Sequence, residues 1–220
     1  FISVAAVGWI VEKVVVQNLY HRPLDTILAT WGIGIILQQA VRLGVGAESR
    51  FVKGPGLLSG NTEIGPLIMS NYRLFVIVFS MAVLAATWVL MTRTEFGMKL
   101  RAVIQNRAIS ECYGIEAKRI YSITFAYGAG LAGIAGALIT PLFSTIPTMG
   151  TGLVVDAFLV VIVGGLGSLI GSAAASVLIG EATAIFSIVI NDTLGRIAVL
   201  AGIILLIRFR PRGLFPTETR

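Results

Sequence analysis

Cysteine occurs once, at Cys112, so neither an intrachain disulfide nor a multi-cysteine metal site can form. Histidine also occurs once, as His21 beside Arg22, and no paired carboxylates or metal-ligand spacings accompany it. With charged residues at only 13 % of the chain, the sequence holds no enzymatic constellation, and neither metal nor cofactor is expected. The charge that is present leans basic, with 17 Lys+Arg against 11 Asp+Glu and a net charge of +6. These basic residues gather in short polar stretches and in the tail. No soluble basic face is left to meet nucleic acid, and the pattern is that of membrane orientation.

What the chain has in excess is apolar length. Hydrophobic residues make up 56 %, and the mean hydropathy is +0.90, outside the range of soluble domains. The fold class is therefore all-α, a polytopic membrane protein in contact with lipid. Phe1 opens directly into an apolar run without a charged leader, which reads as a truncated start and not as a signal peptide.

In order, residues 1–16 read as the end of a span, apolar except for Glu12 and Lys13. The polar break QNLYHRPLD follows, with Pro23 disfavouring helix at Arg22. Residues 24–43 are long enough for one crossing, about 30 Å as a helix. Residues 44–73 form a long external segment, with a part that could dip back inward, and residues 74–91 form the next span. After a central polar stretch, residues 120–140 form a small-residue span and 141–152 a turn. Residues 153–190 would reach about 57 Å as one helix, nearly twice the hydrocarbon core. One straight helix cannot fit, and Gly164, Gly165, Gly167 and Gly171 offer the break. An external turn at 191–196 and a last short span at 197–207 complete the chain.

The polar stretch 93–119 fixes the topology. Its six basic residues (Arg93, Lys99, Arg101, Arg107, Lys118, Arg119) against three acids place it in the cytoplasm. Two crossings within 153–190 then bring the arginine tail back inside, with twelve of the 17 basic residues cytoplasmic. Seven spans in a single transmembrane domain, 1–220, result, with a broken Gly-rich helix pair near the C-terminus. Within the loop Leu100, Val103, Ile104, Ala108 and Ile109 recur at helical spacing, predicting one short amphipathic helix bracketed by Gly97 and Gly114. Such a helix is suited to docking a soluble partner; a solvated connecting loop is the plainer reading.

Two glycine motifs imitate nucleotide sites. Gly128-Ala-Gly130-Leu-Ala-Gly133 lies inside an apolar helix with no strand before it, so it reads as a close-packing surface for another helix. GGLGSLIG at 164–171 lacks the lysine of a phosphate loop. It is either a broken helix lining a cavity or a turn between two spans. Candidates for a translocation pathway are the polar groups Thr30, Trp31, Gln38 and Gln39 on one span, and Asp156 and Glu181 further on. Asp156 has an alternative as an interfacial acid, Glu181 as a partner of Thr183, and Trp31 as a packing residue. A permease driven by an external motor, a self-contained channel or carrier, and, more distantly, a membrane enzyme remain open on these grounds.

Four separated blocks, YHRPLDTILATWGIGIILQQ, TRTEFGMKLRAVIQNRAISECYGI, VVDAFLVVIVGGLGSLIGS and LLIRFRPRGLFP, resemble in order the permease subunits of the branched-chain amino acid class of ABC importers. Within that class TILATWGIGIILQQ and RAVIQNR look more like the urea-type permeases. The resemblance implies import of urea or a short amide, with leucine, isoleucine and valine as the alternative. It also implies a second related permease, two cytoplasmic ATPases and an external solute-binding protein as partners, in a bacterial inner membrane. Gly97, Arg101, Ala102, Asn106, Ala108 and Gly114 would then form the coupling segment held in a cleft of one ATPase. For urea the resemblance favours Thr30, Gln38 and Gln39 as path-lining groups.

Overall fold

A computed structural model describes residues 1–20, 22–46, 48–49, 51–52, 60–64, 67–165, 167–189, 191–209 and 213–214; among residues 61–64 and 67–69, and at 23 and 192, it describes backbone alone. His21, Ile190, Arg210, Arg212 and Arg220 lie outside the described residues. The described chain is helical apart from one short hairpin. It falls into two compact units, residues 1–148 and 149–220.

In the first unit α1 (Ile2–Val11) runs into a π-helical turn, Glu12–Val16, and a last helical turn, α2 (Gln17–Leu19). Arg22 is extended at φ −132°, and Pro23 starts α3 (Pro23–Val45), the first-turn position where a missing N–H costs nothing. Two four-residue strands, β1 (Asn61–Ile64) and β2 (Leu67–Ser70), pair antiparallel with Asn61 opposite Ser70. Sequence reading had placed this hairpin only as part of an external segment. α4 (Asn71–Arg93) follows, then α5 (Glu95–Gln105), α6 (Arg107–Cys112) and α7 (Ala117–Ile139).

Among the described residues, five helices are long and apolar enough to cross a membrane: Ile2–Leu19, Leu24–Val45, Asn71–Arg93, Ala117–Ile139 and Leu169–Val189. The other two expected spans are also helical, as α8 (Met149–Gly164), 16 residues, and α10 (Asp192–Phe209), 18 residues; the segment between them, α9, is Leu169–Val189. α10 begins earlier than expected, so Arg196 belongs to its second turn and not to a loop. Few side chains of the five long helices are buried within the chain, and those of α3 least of all. Their apolar faces are left for lipid or for other chains.

α1 crosses α7 on its small residues. A Cβ at Gly130 would strike the Phe1 ring, one at Gly133 the Val4 side chain at 2.8 Å, and one at Gly8 would overlap Ala129. Gly128 and Gly136 meet nothing, so the contact uses one stripe of the glycine series and not all of it. α4 is tied to α7 by polar bonds. The Tyr72 hydroxyl donates to the Leu138 carbonyl at 3.0 Å, and the Thr87 and Tyr127 hydroxyls are bonded at 2.8 Å.

In the second unit the glycine run makes a tight turn. Gly165 and Gly167 have φ of +98° and +90°, in the left-handed region that side chains disfavour. Ser168 starts α9 as an N-cap, its Oγ accepting from Gly171 N–H at 3.0 Å. Gly164 and Gly171 bring the backbones of α8 and α9 into contact, where a Cβ on either would overlap the other segment. The returning tail packs Gly213 on Gly165, and Leu214 N–H donates to the Val163 carbonyl at 2.8 Å. Val163, Ala175 and Ile203 form the buried core of the three helices.

Candidate functional site

The polar stretch between α4 and α7 folds as an anchored elbow. Thr94 leaves α4 in extended conformation and caps α5, its Oγ1 accepting from Gly97 N–H at 3.4 Å. Gly97 lies within α5, not at its edge, and rests directly on the Met91 carbonyl, leaving no room for a Cβ. The Arg101 guanidinium donates to that same carbonyl, one of the last-turn acceptors that α4 leaves unpaired. Leu100 and Val103 are buried with Ala117 and Ile120 at the start of α7. These contacts fix α5 to the end of α4 and the start of α7.

Where one amphipathic helix was predicted, two short ones form. Asn106 adopts φ −155°, ψ 103°, and its Oδ1 accepts from Ile109 N–H at 3.1 Å, ending α5 and capping α6. Leu100 and Val103 point inward, while Ile104 (67 % exposed) at the end of α5 and Ile109 beyond the break point out. Ala102 is half-buried and Ala108 exposed. α6 closes with Gly114 at φ +81°, Gly114 N–H bonding Glu111 O and Ile115 N–H bonding Ser110 O, the paired bonds of a glycine-terminated helix. Lys99 pairs with Glu95 at 3.0 Å and Arg107 with Glu111 at 2.9 Å, both one helical turn apart. The outer surface thus presents Met98, Ile104, Ile109 and Tyr113 (83 % exposed) among charges. Beside it a crevice of about 540 Å³ opens between α5 and the start of α7, lined by Lys99, Ile115, Glu116 and Arg119 among others. Exposed apolar side chains interleaved with charges form the kind of patch that marks an interaction surface.

One residue missed by sequence reading ties the end of the first span to α7. Glu12, read there as part of a span end, is fully buried in the π-helical turn. Its carboxylate accepts from the hydroxyls of Tyr20 and of Ser122 on α7. Tyr20 also stacks on Tyr121 with ring centroids 5.3 Å apart. Burial first, and then the bond to Glu12, pushes the Tyr20 hydroxyl well above the ordinary tyrosine range, with Arg107 of α6 opposing the shift. The one signal available was an acid in an apolar run, since such a group is aimed at a partner inside the protein. That the partners are Tyr20 and Ser122, the second 110 residues away, is a tertiary fact.

The pathway candidates fall in different units. On α3, Trp31 and Gln38 share a face seven residues apart and Trp31 is exposed, while Thr30 spends its hydroxyl on the Thr26 and Ile27 carbonyls at 3.0 Å. Gln39 is exposed. On α8, Asp156 faces Arg196 of α10 at 3.6 Å. Glu181 of α9 is exposed, and Thr183, its alternative partner, donates instead to the Ile179 carbonyl at 2.7 Å. Between α8, α9 and α10 runs a groove of about 640 Å³ that has Asp156 and Arg196 in its lining. The four break glycines contribute to the turn and not to that groove.

Several helices long and apolar enough to span a membrane, with a polar elbow anchored at the ends of two of them, define a polytopic membrane protein. Comparison with known proteins places it further. The family described as the permease component of the branched-chain amino acid transport system matches residues 1–208, and the chain belongs to it. High-affinity branched-chain amino acid transport system permease protein BraD of Pseudomonas aeruginosa is 27 % identical over 220 residues, covering 97 % of this chain and 71 % of the relative. The permease proteins LivH of Salmonella typhimurium and of Escherichia coli K12, also named for high-affinity branched-chain amino acid transport, are each 28 % identical. They cover 97 % and 96 % of this chain, and 71 % and 70 % of their own length. No solved structure matches the chain. Family and helices together make it a multi-pass plasma-membrane protein.

Proposed function

We propose that the chain is a transmembrane subunit of an ATP-driven importer of branched-chain amino acids, working in a bacterial inner membrane. The observation that carries this is the family match across residues 1–208, together with relatives whose names specify that substrate class. It favours branched-chain amino acids over urea, to which the blocks TILATWGIGIILQQ and RAVIQNR point on resemblance alone. A self-contained channel or carrier also gives way, because the anchored elbow at residues 93–119 is built to receive force from outside the membrane.

In this reading ATP is hydrolysed on separate cytoplasmic ATPases, and solute arrives from an external binding protein, with a second related permease completing the path. An ATPase grips the exposed side of α5 and α6 through Met98, Ile104, Ile109 and Tyr113. Movement of that grip passes through Gly97 and Arg101 to the end of α4, and through Leu100 and Val103 to the start of α7. Asn106 and Gly114 hold the two short helices in shape. The spans on either side then tilt as rigid bodies to alternate access.

The test is copurification from a membrane of the full-length subunit with its co-expressed ATPases, followed by ATPase assay in proteoliposomes with the binding protein loaded with leucine or with urea. Copurification and stimulation by the leucine-loaded form are expected. A subunit that purifies free of any ATPase, or stimulation by urea alone, would overturn the assignment.

A further inference from the structure

We infer that the groove between α8, α9 and α10 is a transient binding site for a zwitterionic amino acid with an aliphatic side chain. Asp156 takes the ammonium, Arg196 takes the carboxylate, and the side chain enters the groove. This rests on the amino acid reading given above and adds a site to it.

The groove has the composition such a ligand requires. Its volume of about 640 Å³ lies within the range of about 300–1,000 Å³ typical of small-molecule sites, which are mostly apolar with a few polar groups that set orientation. Leu159, Val160, Ile179, Val199 and Ile203 form the apolar wall, an edge of the unit's own core. The Ser176 and Thr183 hydroxyls are already bonded to the backbone carbonyls of Ala173 and Ile179. The two charged groups therefore dominate recognition.

Those two charges differ in sign and adjoin one another. At 3.6 Å the Asp156 and Arg196 atoms are beyond the roughly 2.7–2.9 Å of a tight charged hydrogen bond. The side chains are 53 % and 71 % exposed, so each has a free side to offer. Ammonium and carboxylate on one α-carbon can meet this pair in antiparallel fashion, and the planar guanidinium suits bidentate binding of a carboxylate. A charge inside a span is costly unless aimed at a cavity or a partner, and both conditions hold here. Urea can hydrogen-bond either group but brings no countercharge and nothing to fill the apolar wall, and a lipid chain would satisfy only the wall.

Position supports entry from outside. Asp156 is seven residues, about 10 Å, into α8, and Arg196 four residues, about 6 Å, into α10. Both starts lie away from the glycine turn that joins the other ends of α8 and α9. Arg208 in the last turn of α10 marks the opposite end as the cytoplasmic one by the positive-inside bias, so this end of the groove faces the exterior, where solute is delivered.

The experiment uses the complete importer in proteoliposomes with Cys112→Ser and a new thiol from Ser176→Cys. Maleimide labelling at that thiol is timed with saturating leucine, leucinamide, 4-methylpentanoate or urea, and leucine uptake is measured in the same preparation. At least fivefold slowing by leucine and none by the other three is expected. Asp156→Asn and Arg196→Gln should each abolish the slowing while the labelling rate without ligand is retained. ATP-driven leucine uptake without protection by leucine, or protection unchanged in both variants, overturns the site and leaves the import reading standing. Urea uptake with no leucine uptake overturns the import reading itself, and the site with it.

Discussion

A single methyl group at Gly97 should uncouple the elbow from α4. A Cβ there would lie 2.5 Å from the Met91 carbonyl carbon and 2.8 Å from its Cα, and nearer still to the oxygen. Carbon atoms in ordinary contact are about 3.5–4.0 Å apart, so the deficit is about 1 Å. Both surfaces are backbone, and no rotamer change relieves it. α5 must lift away from α4, and the Arg101 bond to the same carbonyl goes with it. Overpacking of this kind costs about 1–3 kcal/mol, offset by about 1 kcal/mol from the better helix propensity of alanine. A net penalty near 1.4 kcal/mol corresponds to about a tenfold shift in any equilibrium that needs the docked elbow. Gly136→Ala is the control, because a Cβ at Gly136 meets nothing within 4 Å. In proteoliposomes with ATPases and binding protein, Gly97→Ala should lower uptake about tenfold while basal ATP hydrolysis persists, and Gly136→Ala should leave uptake unchanged. Equal uptake by the two variants would refute the rigid α4–α5 contact as the route of coupling.

Three further perturbations follow from the same geometry. Asn106→Ala removes the α6 cap and should cost about 1 kcal/mol; backbone amide exchange in residues 107–110 should quicken, and Asn106→Asp, which caps equally well, should restore it. Glu12→Ala leaves the buried Ser122 and half-buried Tyr20 hydroxyls without their acceptor. With charged-group hydrogen bonds at about 1.5–3 kcal/mol each in water, but membrane pairs averaging only about 0.6, the smaller figure gives about 1–2 kcal/mol for two bonds and a lower melting temperature in detergent. Ser122→Ala should lower it less; no change in either variant would remove the α1–α7 polar tie. Gly165→Leu and Gly167→Leu force a side chain into the left-handed region at about 1–2 kcal/mol each; reduced assembly or uptake is expected, and wild-type levels of both would make the run a tolerant turn.

Hydropathy made the helices legible, because in lipid each crossing must satisfy its own backbone and therefore declares its length. The break at 164–168 was readable for the same reason: residues 153–190 are too long for one crossing. Periodicity fared worse in the elbow. Leu100, Val103, Ile104 and Ala108 fit one helical stripe on paper, but the stripe assumes continuous helix, and Asn106, a strong N-cap, stops it before Ala108. Gly97 looked like a boundary because glycine often ends helices, whereas here it permits backbone contact within one. The hairpin at 61–70 carries only four-residue strands, too short to show alternation against its Gly and Pro neighbours. Polar pairs were the least legible. Asp156 was a candidate in the sequence, but Arg196, placed in a turn, was not joined to it until α10 was seen to start at Asp192. Glu12 was visible as an acid in an apolar run, and its partners come from a π-helical turn and a helix crossing that no local pattern encodes.

Uptake of labelled leucine and labelled urea, each competed by the other, into proteoliposomes holding the full-length subunit with its second permease, ATPases and binding protein tests the proposed import directly. ATP-dependent leucine accumulation that excess valine suppresses and urea does not is the expected result. Urea accumulation indifferent to leucine, or leucine entry that proceeds without ATP, would contradict it.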